Sequence, residues 1–278
     1  MHIGLSYLYK LQYQHSVHNG LYDIHNNKKL DLSQTIFGYT DESNALKGRV
    51  QFSHFKMVKD TIPLQKRTEI LGTPRASYYP MYIYQNGKIY STYMDDDFLI
   101  AGRKRYPIHK SNDPTKSKET GNKNVGTTFI PLNTGVVFKG KLRYHNLKRC
   151  ELGAILSALT FHNTPNTYHN IGMAKSLGYG KIDITIDNFK VENYLNSYEK
   201  VMTDSIKNWA ISEEITELLT MATEQNNSGN SLLEYIELPE FASAKNSIDF
   251  LKRYTKLNDI KTIKLKKTIL NQEKPKNN

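Results

Sequence analysis

The sequence predicts an α+β fold, and three consecutive segments carry that prediction. In GVVFKGKLRYH, from Gly135, the residues Val136, Phe138, Leu142 and Tyr144 share one parity while Val137, Lys139, Lys141 and Arg143 take the other, which is the period of a two-faced strand. In LKRCELGAILSALTFH, apolar Leu147, Cys150, Ala154, Ile155, Ala158 and Leu159 recur at helical spacing. In KIDITIDNF, Ile182, Ile184 and Ile186 alternate against Lys181, Asp183 and Thr185, predicting another strand. Between that helix and that strand lies IGMAKSLGYGKI. Strand, helix, glycine loop, strand is half of a ferredoxin-like arrangement, with the loop crossing an end or face of the sheet.

The rest of the chain follows in order. Ile3, Leu5, Tyr7, Tyr9, Leu11 and Tyr13 alternate with polar residues, predicting a half-buried strand. Asp31 is placed to cap a short helix over LSQTIF that stops at Gly38. GRVQFSHFKMV, from Gly48, reads as a strand, and Asn86-Gly87 as the turn of a hairpin. The polar stretch SNDPTKSKETGNKNVG, from Ser111, reads as a surface insertion. From residue 189 the pattern turns helical, through VENYLNSYEKVMTDSI, SEEITELLTMATEQ and NSIDFLKRYTKL, and ends in a lysine-rich tail. The expected organisation is a core over 1–188, with an insertion around 60–125, and a helical extension with a basic tail over 189–278.

Composition bounds function more loosely. The chain of 278 residues is 38% hydrophobic, enough for a core, and has no apolar run that would span a membrane. Its N-terminus, MHIGLSYLYK, lacks a secretory pattern, and its one cysteine, Cys150, excludes an internal disulfide or a CxxC zinc site; a cytoplasmic location is expected. A formal net charge of +11 attracts polyanions, of which nucleic acid is the most common, and the 19 tyrosines include candidates for base stacking.

The glycine loop is the candidate site. Gly172, Gly178 and Gly180 permit positive φ and close backbone approach, while Lys175 and Lys181, with Ser176 between them, suit an anionic ligand. Neither the Walker nor the dinucleotide pattern fits: Gly178 is followed by Tyr179, and Asp183 stands where a third glycine would be needed. A plain turn with solvated lysines explains the loop equally well. Arg49, and the run Arg103, Lys104, Arg105 followed by Tyr106 and His109, join cations to an aromatic residue. The competing explanations are an ion pair of Arg49 with an acid such as Glu42, and a solvated strand end at 103–105. Lys139, Lys141 and Arg143 fit the ordinary outer face of a sheet better than an RNA platform. Asp95, Asp96 and Asp97 fit a solvated turn better than a metal site. His145, His162 and His169 lie in polar surroundings whose geometry the sequence does not show, and Cys150 falls on an apolar helical face. No cofactor or metal motif is present.

The ordered motifs resemble the CRISPR-associated RAMP superfamily. IGMAKSLGYGKI, preceded by a helix and followed by an apolar strand, is similar to that superfamily's C-terminal glycine-rich loop. DLSQTIFG with LKGRVQFSHF resembles the "FG … GRV" segment of backbone proteins of type III effector complexes. GTPRASYYPMYIY with GRKRYPIH resembles the proline/tyrosine and "GRK-Y" segments of one large-subunit subfamily, and ELGAILSAL, NWAISEEITELLTM and LEYIELPEF also agree in order. Two departures stand out. Ala174 replaces the second glycine of the usual G-x-G-K loop. Met1 falls partway through the family pattern, so the first strand, the "PGSS-x-RG" loop-helix and the region of the target-cleaving aspartate have no counterpart here.

The resemblance implies a ferredoxin-like RAMP core that grips guide RNA within a type III effector complex, in antiviral defence. Target RNA and other effector subunits are the implied partners. Catalysis by this chain is not expected from the resemblance. Two alternatives stand beside this reading: a RAMP-family endoribonuclease acting on target or precursor RNA, and a scaffold subunit that does not bind RNA.

Overall fold

The computed structural model describes residues 12–21, 30–71, 79, 82–84, 91–101, 105–106, 108–110, 116 and 125–225. These residues are α+β, with helices beside short, mostly antiparallel strand pairs. They divide into two compact units. One holds the described residues before 30 and from 72 to 105, the other those from 30 to 71 and from 106 to 225.

The first unit is small. Helix α1, Val17–Gly20, lies near a core of Ile83, Tyr93 and Phe98, to which Val17 and Ile100 add partly buried surface. Gly20 is required by space, since a Cβ there would stand 2.3 Å from the Phe98 ring. The Asp95–Asp97 segment is a turn: Asp95 accepts from Thr92 N at 2.7 Å, and exposed Asp96 meets His15 Nε2 at 2.8 Å.

The second unit begins as its residues dictate. Helix α2, Leu32–Phe37, is capped by Asp31, whose carboxylate accepts from Gln34 N, and it ends at Gly38 with φ +83°. The hairpin of β1, Tyr39–Thr40, and β2, Ala45–Leu46, follows. Next comes a long antiparallel ribbon. Strand β3, Val50–Phe52, pairs with β9, Leu142–Tyr144, and β4, Lys56–Met57, pairs with β8, Phe138–Lys139. Ser53 N donates to Lys141 O, while Lys56 stands opposite Lys139. His54 and Phe55 therefore face Gly140 alone, which is a β-bulge. Phe55 lies so close to Gly140 that a Cβ would come within 2.7 Å of its ring. The ribbon continues through Val58 N to Val137 O and Leu64 N to Pro131 O into β5, Arg67–Ile70, paired with β7, Gly126–Phe129.

Helix α3, Arg149–Thr160, packs against α4, Glu192–Ser205, over a core of Ile36, Leu152, Ile155, Leu156, Val191 and Leu195, with Val50 and Leu142 of the ribbon against it. The buried stripe of α3 is rotated from the expected one. Leu152, Gly153 and Leu156 are inside, whereas Cys150 and Leu159 are half-buried and Ala158 is exposed. Gly153 explains the rotation: a Cβ there would stand 2.1 Å from the Tyr194 carbonyl oxygen, so α4 crosses at that glycine. A second core gathers Phe161, Trp209, Leu219 and Ala222 beneath α5, Glu213–Ala222, which is capped by Ser212.

KIDITIDNF is a correction to expectation. Only Lys181–Ile182 forms a strand, β11, and it pairs with β10, His169–Asn170. Ile184 and Ile186 remain half-buried, but no described strand pairs with them. Strand β6, Ile108–His109, runs parallel to β12, Glu224–Gln225. The opening strand as far as residue 11, the Asn86-Gly87 turn, nearly all of the 111–126 stretch and everything after 225 lie outside the described residues.

Candidate functional site

The glycine loop is the connection of a β-hairpin. Beyond the β10–β11 pair, Ile171 N donates to Gly180 O at 2.9 Å and closes the neck. Gly180, φ +76°, is fixed by that closure, because a Cβ would lie 1.7 Å from Ile171 O. Gly178, φ +92°, lets the loop rest on the His109 ring, at 3.0 Å from where a Cβ would be. Gly172 faces open space.

Ala174, the departure from the glycine-rich pattern, adopts the left-handed conformation regardless, φ 55° and ψ 29°, and is buried. A left-handed alanine costs about 1–2 kcal/mol, so its surroundings hold it there. It leads into a 3-10 turn over Lys175–Leu177. A left-handed residue followed by a helical one turns successive N–H groups toward a common concavity that suits an anion. The backbone N–H groups of Ala174, Lys175 and Ser176 make no hydrogen bond among the described residues.

The two loop lysines differ. Lys175 Nζ donates to Gly172 O at 2.7 Å, which folds the ammonium over the loop and leaves it donors to spare. Lys181 Nζ instead donates to Glu224 Oε1 at 2.8 Å and sits 5.5 Å over the Tyr168 ring. Behind the loop, Tyr179 meets Phe129 of β7 edge-on at 5.1 Å. Burial pushes the Tyr179 hydroxyl above its ordinary pKa, with Arg67 opposing and Glu69 adding. The far end of the ribbon thus abuts the glycine loop.

The remaining expected residues scatter. Arg49 pairs with an acid, but with Glu151 of α3 rather than Glu42. Its Nη2 and Nη1 donate to Glu151 Oε1 and Oε2 at 2.8 and 3.1 Å, Nη1 also to Asn146 O at 2.6 Å, and Nε and Nη2 to Thr35 O at 2.9 and 2.6 Å. All five N–H groups are thereby directed into the protein. Glu151 also accepts from Lys148 N, and the Arg49 hydrogen bond, ahead of that backbone contact, holds its carboxyl below the ordinary range. Arg105 is half-buried in the first unit. Tyr106 belongs to the second, where its carbonyl accepts from Asn170 Nδ2 at 3.0 Å and steadies β10. Arg103 and Lys104 lie outside the described residues. His169 Nε2 donates to the Leu159 carbonyl, and its ring stacks on Phe161 at 4.2 Å.

The ribbon supplies what the sequence reading undervalued. Lys56, Lys139, Lys141 and Arg143 share one face, with Lys56 directly opposite Lys139. All four are exposed. Phe52, Met57, Phe138 and Tyr144 occupy the opposite face, each at least a third exposed. On that opposite face Val50 and Leu142 pack against the α3–α4 core, so the cations lie on the outer face of the ribbon, as expected. Like charges directly opposed cost stability, roughly 0.2–1 kcal/mol. An exposed Lys139–Asp187 contact at 3.7 Å offsets little of that. The alternation at 135–145 carried this signal, but the pairing of 49–58 with 137–145 did not show in it.

Among the described residues, no helix is long and apolar enough to cross a membrane, and no three His, Cys, Asp or Glu side chains converge as metal ligands. Compared with known proteins, the chain matches no protein-family model and no curated protein.

Proposed function

We propose that this protein binds single-stranded RNA, and that it does so as a guide-RNA-binding, backbone-like subunit of a CRISPR type III effector complex. The observation that carries RNA binding is the exposed cationic face of the ribbon, where Lys56 and Lys139 are held opposite each other with Lys141 and Arg143 beside them. A polyanion relieves that repulsion. The glycine loop adds Lys175 and three backbone N–H groups that make no hydrogen bond among the described residues of the same unit. Its contacts address phosphates, which fits a ligand whose sequence is read by base pairing rather than by the protein. The RAMP assignment rests on the ordered motifs.

Fluorescence anisotropy with a labelled single-stranded RNA across a salt series tests the reading. Log K is expected to fall with log[salt] by about 0.7 per neutralised phosphate. Lys139→Glu/Lys141→Glu and Lys175→Glu should each bind more weakly with a shallower slope. Equal affinity and slope in all three proteins, each shown folded by circular dichroism, would reject RNA binding at these surfaces. Co-purification with effector subunits tests membership of the complex separately.

A further inference from the structure

A cavity of about 200 Å³ opens at the base of the glycine hairpin, away from its tip. Its walls are the last turn of α3, the segment 164–168, and Asp183 with Ile184. We infer that this cavity is a binding site for a compact organic cation, an alkylammonium or alkylguanidinium group. The inference goes beyond RNA binding and does not depend on it.

Hydrogen-bond bookkeeping sets the polarity of the wall. Thr160 Oγ1 donates to Leu156 O, Thr164 Oγ1 to Phe161 O, and Thr167 Oγ1 to Thr164 O, at 2.6–2.8 Å. Each hydroxyl has one proton, so these threonines have only lone pairs left to offer, one of Thr160's being taken by Asn163 N at 3.1 Å. Asp183 adds a carboxylate, and no lysine or arginine lines the wall. The C-terminal end of α3 adds the negative end of its dipole. Tyr168 is among the lining residues, and its ring already has one ammonium, that of Lys181, 5.5 Å from its centroid. The Asn166 amide and the Tyr168 hydroxyl are side-chain donors in the lining, set against the threonine oxygens and the Asp183 carboxylate, and the net charge of the lining side chains is negative.

Backbone strain at the rim is a separate pointer. Phe161, His162, Asn163 and Asn166 all have φ between +48° and +58°, although none is glycine. Strain of this density persists where the fold over-determines it, and it gathers at ligand clamps. The volume is below the ~300–1,000 Å³ of drug-sized sites, so the ligand is short. Lys181, over the Tyr168 ring, is already neutralised by Glu224 and lies outside the lining.

Titration of the full ¹⁵N-labelled chain with n-butylammonium chloride, followed by amide chemical shifts, tests the site. Sodium butyrate and n-butanol serve as the matched anion and neutral probe. Saturable shifts confined to residues 159–168 and 183–184 are expected with butylammonium alone. Asp183→Asn, at an exposed position, should keep the fold and bind about fivefold more weakly, as one charge-assisted contact at a partly solvated carboxylate allows. An acetyl-Gly-Lys-Gly-amide peptide separates the two sources of such a cation. Tighter binding of the peptide assigns the site to a partner's side chain, and tighter binding of the free amine to a small metabolite. The same shifts from all three probes, no saturable shift with butylammonium, or undiminished binding in Asp183→Asn would overturn the inference.

Discussion

Replacing Arg49 by methionine removes a guanidinium that ties three segments together: the last turn of α2 through Thr35 O, the loop leading into α3 through Asn146 O, and the first turn of α3 through Glu151. The variant leaves the Glu151 carboxylate with Lys148 N as its remaining partner and strips the arginine from two carbonyls. Breaking a buried ion pair by removing one partner costs about 3–5 kcal/mol. The side chains of Arg49 and Glu151 retain 16% and 11% exposure, so the lower end, about 3 kcal/mol, applies. At about 2–4 °C per kcal/mol for a chain of this size, Tm should fall by about 6–12 °C. Arg49→Lys keeps the charge but loses the two-pronged contact, and should fall between. The pH dependence follows from Glu151, whose folded pKa lies below its ordinary 4.5, chiefly through the Arg49 hydrogen bond. The pair's stabilisation is full above 4.5 and is lost as pH falls through the depressed folded value, and Arg49→Met should flatten that acid limb. Thermal melts by circular dichroism at several pH values provide the measurement, alongside RNA anisotropy on the folded Arg49→Lys variant. A Tm within about 2 °C of wild type for Arg49→Met would refute the structural role. So would an Arg49→Lys variant of wild-type stability that has lost RNA affinity.

Other positions make separable predictions. Gly180→Ala places a methyl 1.7 Å from Ile171 O at φ +76°, so it should open the hairpin neck and cost more stability than Gly172→Ala, which meets only its own backbone strain of about 1–2 kcal/mol; paired melts compare them. Burial of His162 lowers its pKa below 6.5, with Glu199 Oε2, 3.5 Å from Nε2, opposing the shift. The folded state therefore resists protonation, and stability should decline as pH falls from 6.5 toward the depressed value. Urea unfolding at points across that window should show the decline in wild type and a smaller one in His162→Gln. Phe52→Ser/Phe138→Ser, on the exposed apolar face, should change Tm by no more than about 2 °C, since neither side chain belongs to a buried core; a larger drop would mean that the face is packed.

How far the chain could be read depends on which interactions are local. Asp31, LSQTIF and Gly38 state a helix, its start and its stop within eight residues, and the structure follows them. The alternation at 135–145 correctly separated Phe138, Leu142 and Tyr144 from Lys139, Lys141 and Arg143. It could not show that residues 49–58 pair with them across a bulge, because a ladder partner about ninety residues away leaves no local mark. KIDITIDNF shows the converse. Its isoleucines are half-buried as the period requires, yet only Lys181–Ile182 finds a partner strand. Period two reports which side is covered, not whether a ladder exists. Arg49 was visible as a cation beside a glycine, but its destiny was decided by Glu151, 102 positions away, and by two carbonyls that sequence patterns do not register.

The same contrast separates the two kinds of cation in this protein. Arg49 and Lys181 have carboxylate partners at 2.8 Å, and each ties together segments distant in the chain. Lys56, Lys139, Lys141 and Arg143 are exposed, set on one ribbon face, and two of them are held opposite each other. Folding alone does not favour the opposed pair: neutralising Lys56 or Lys139 would relieve repulsion, at most at the loss of the exposed 3.7 Å Lys139–Asp187 contact. Two exposed charges of one sign held opposite each other point to a use outside the fold. Neutralising Lys56 and Lys139 together should therefore raise Tm slightly while lowering RNA affinity. A fall in both would instead mark the pair as structural.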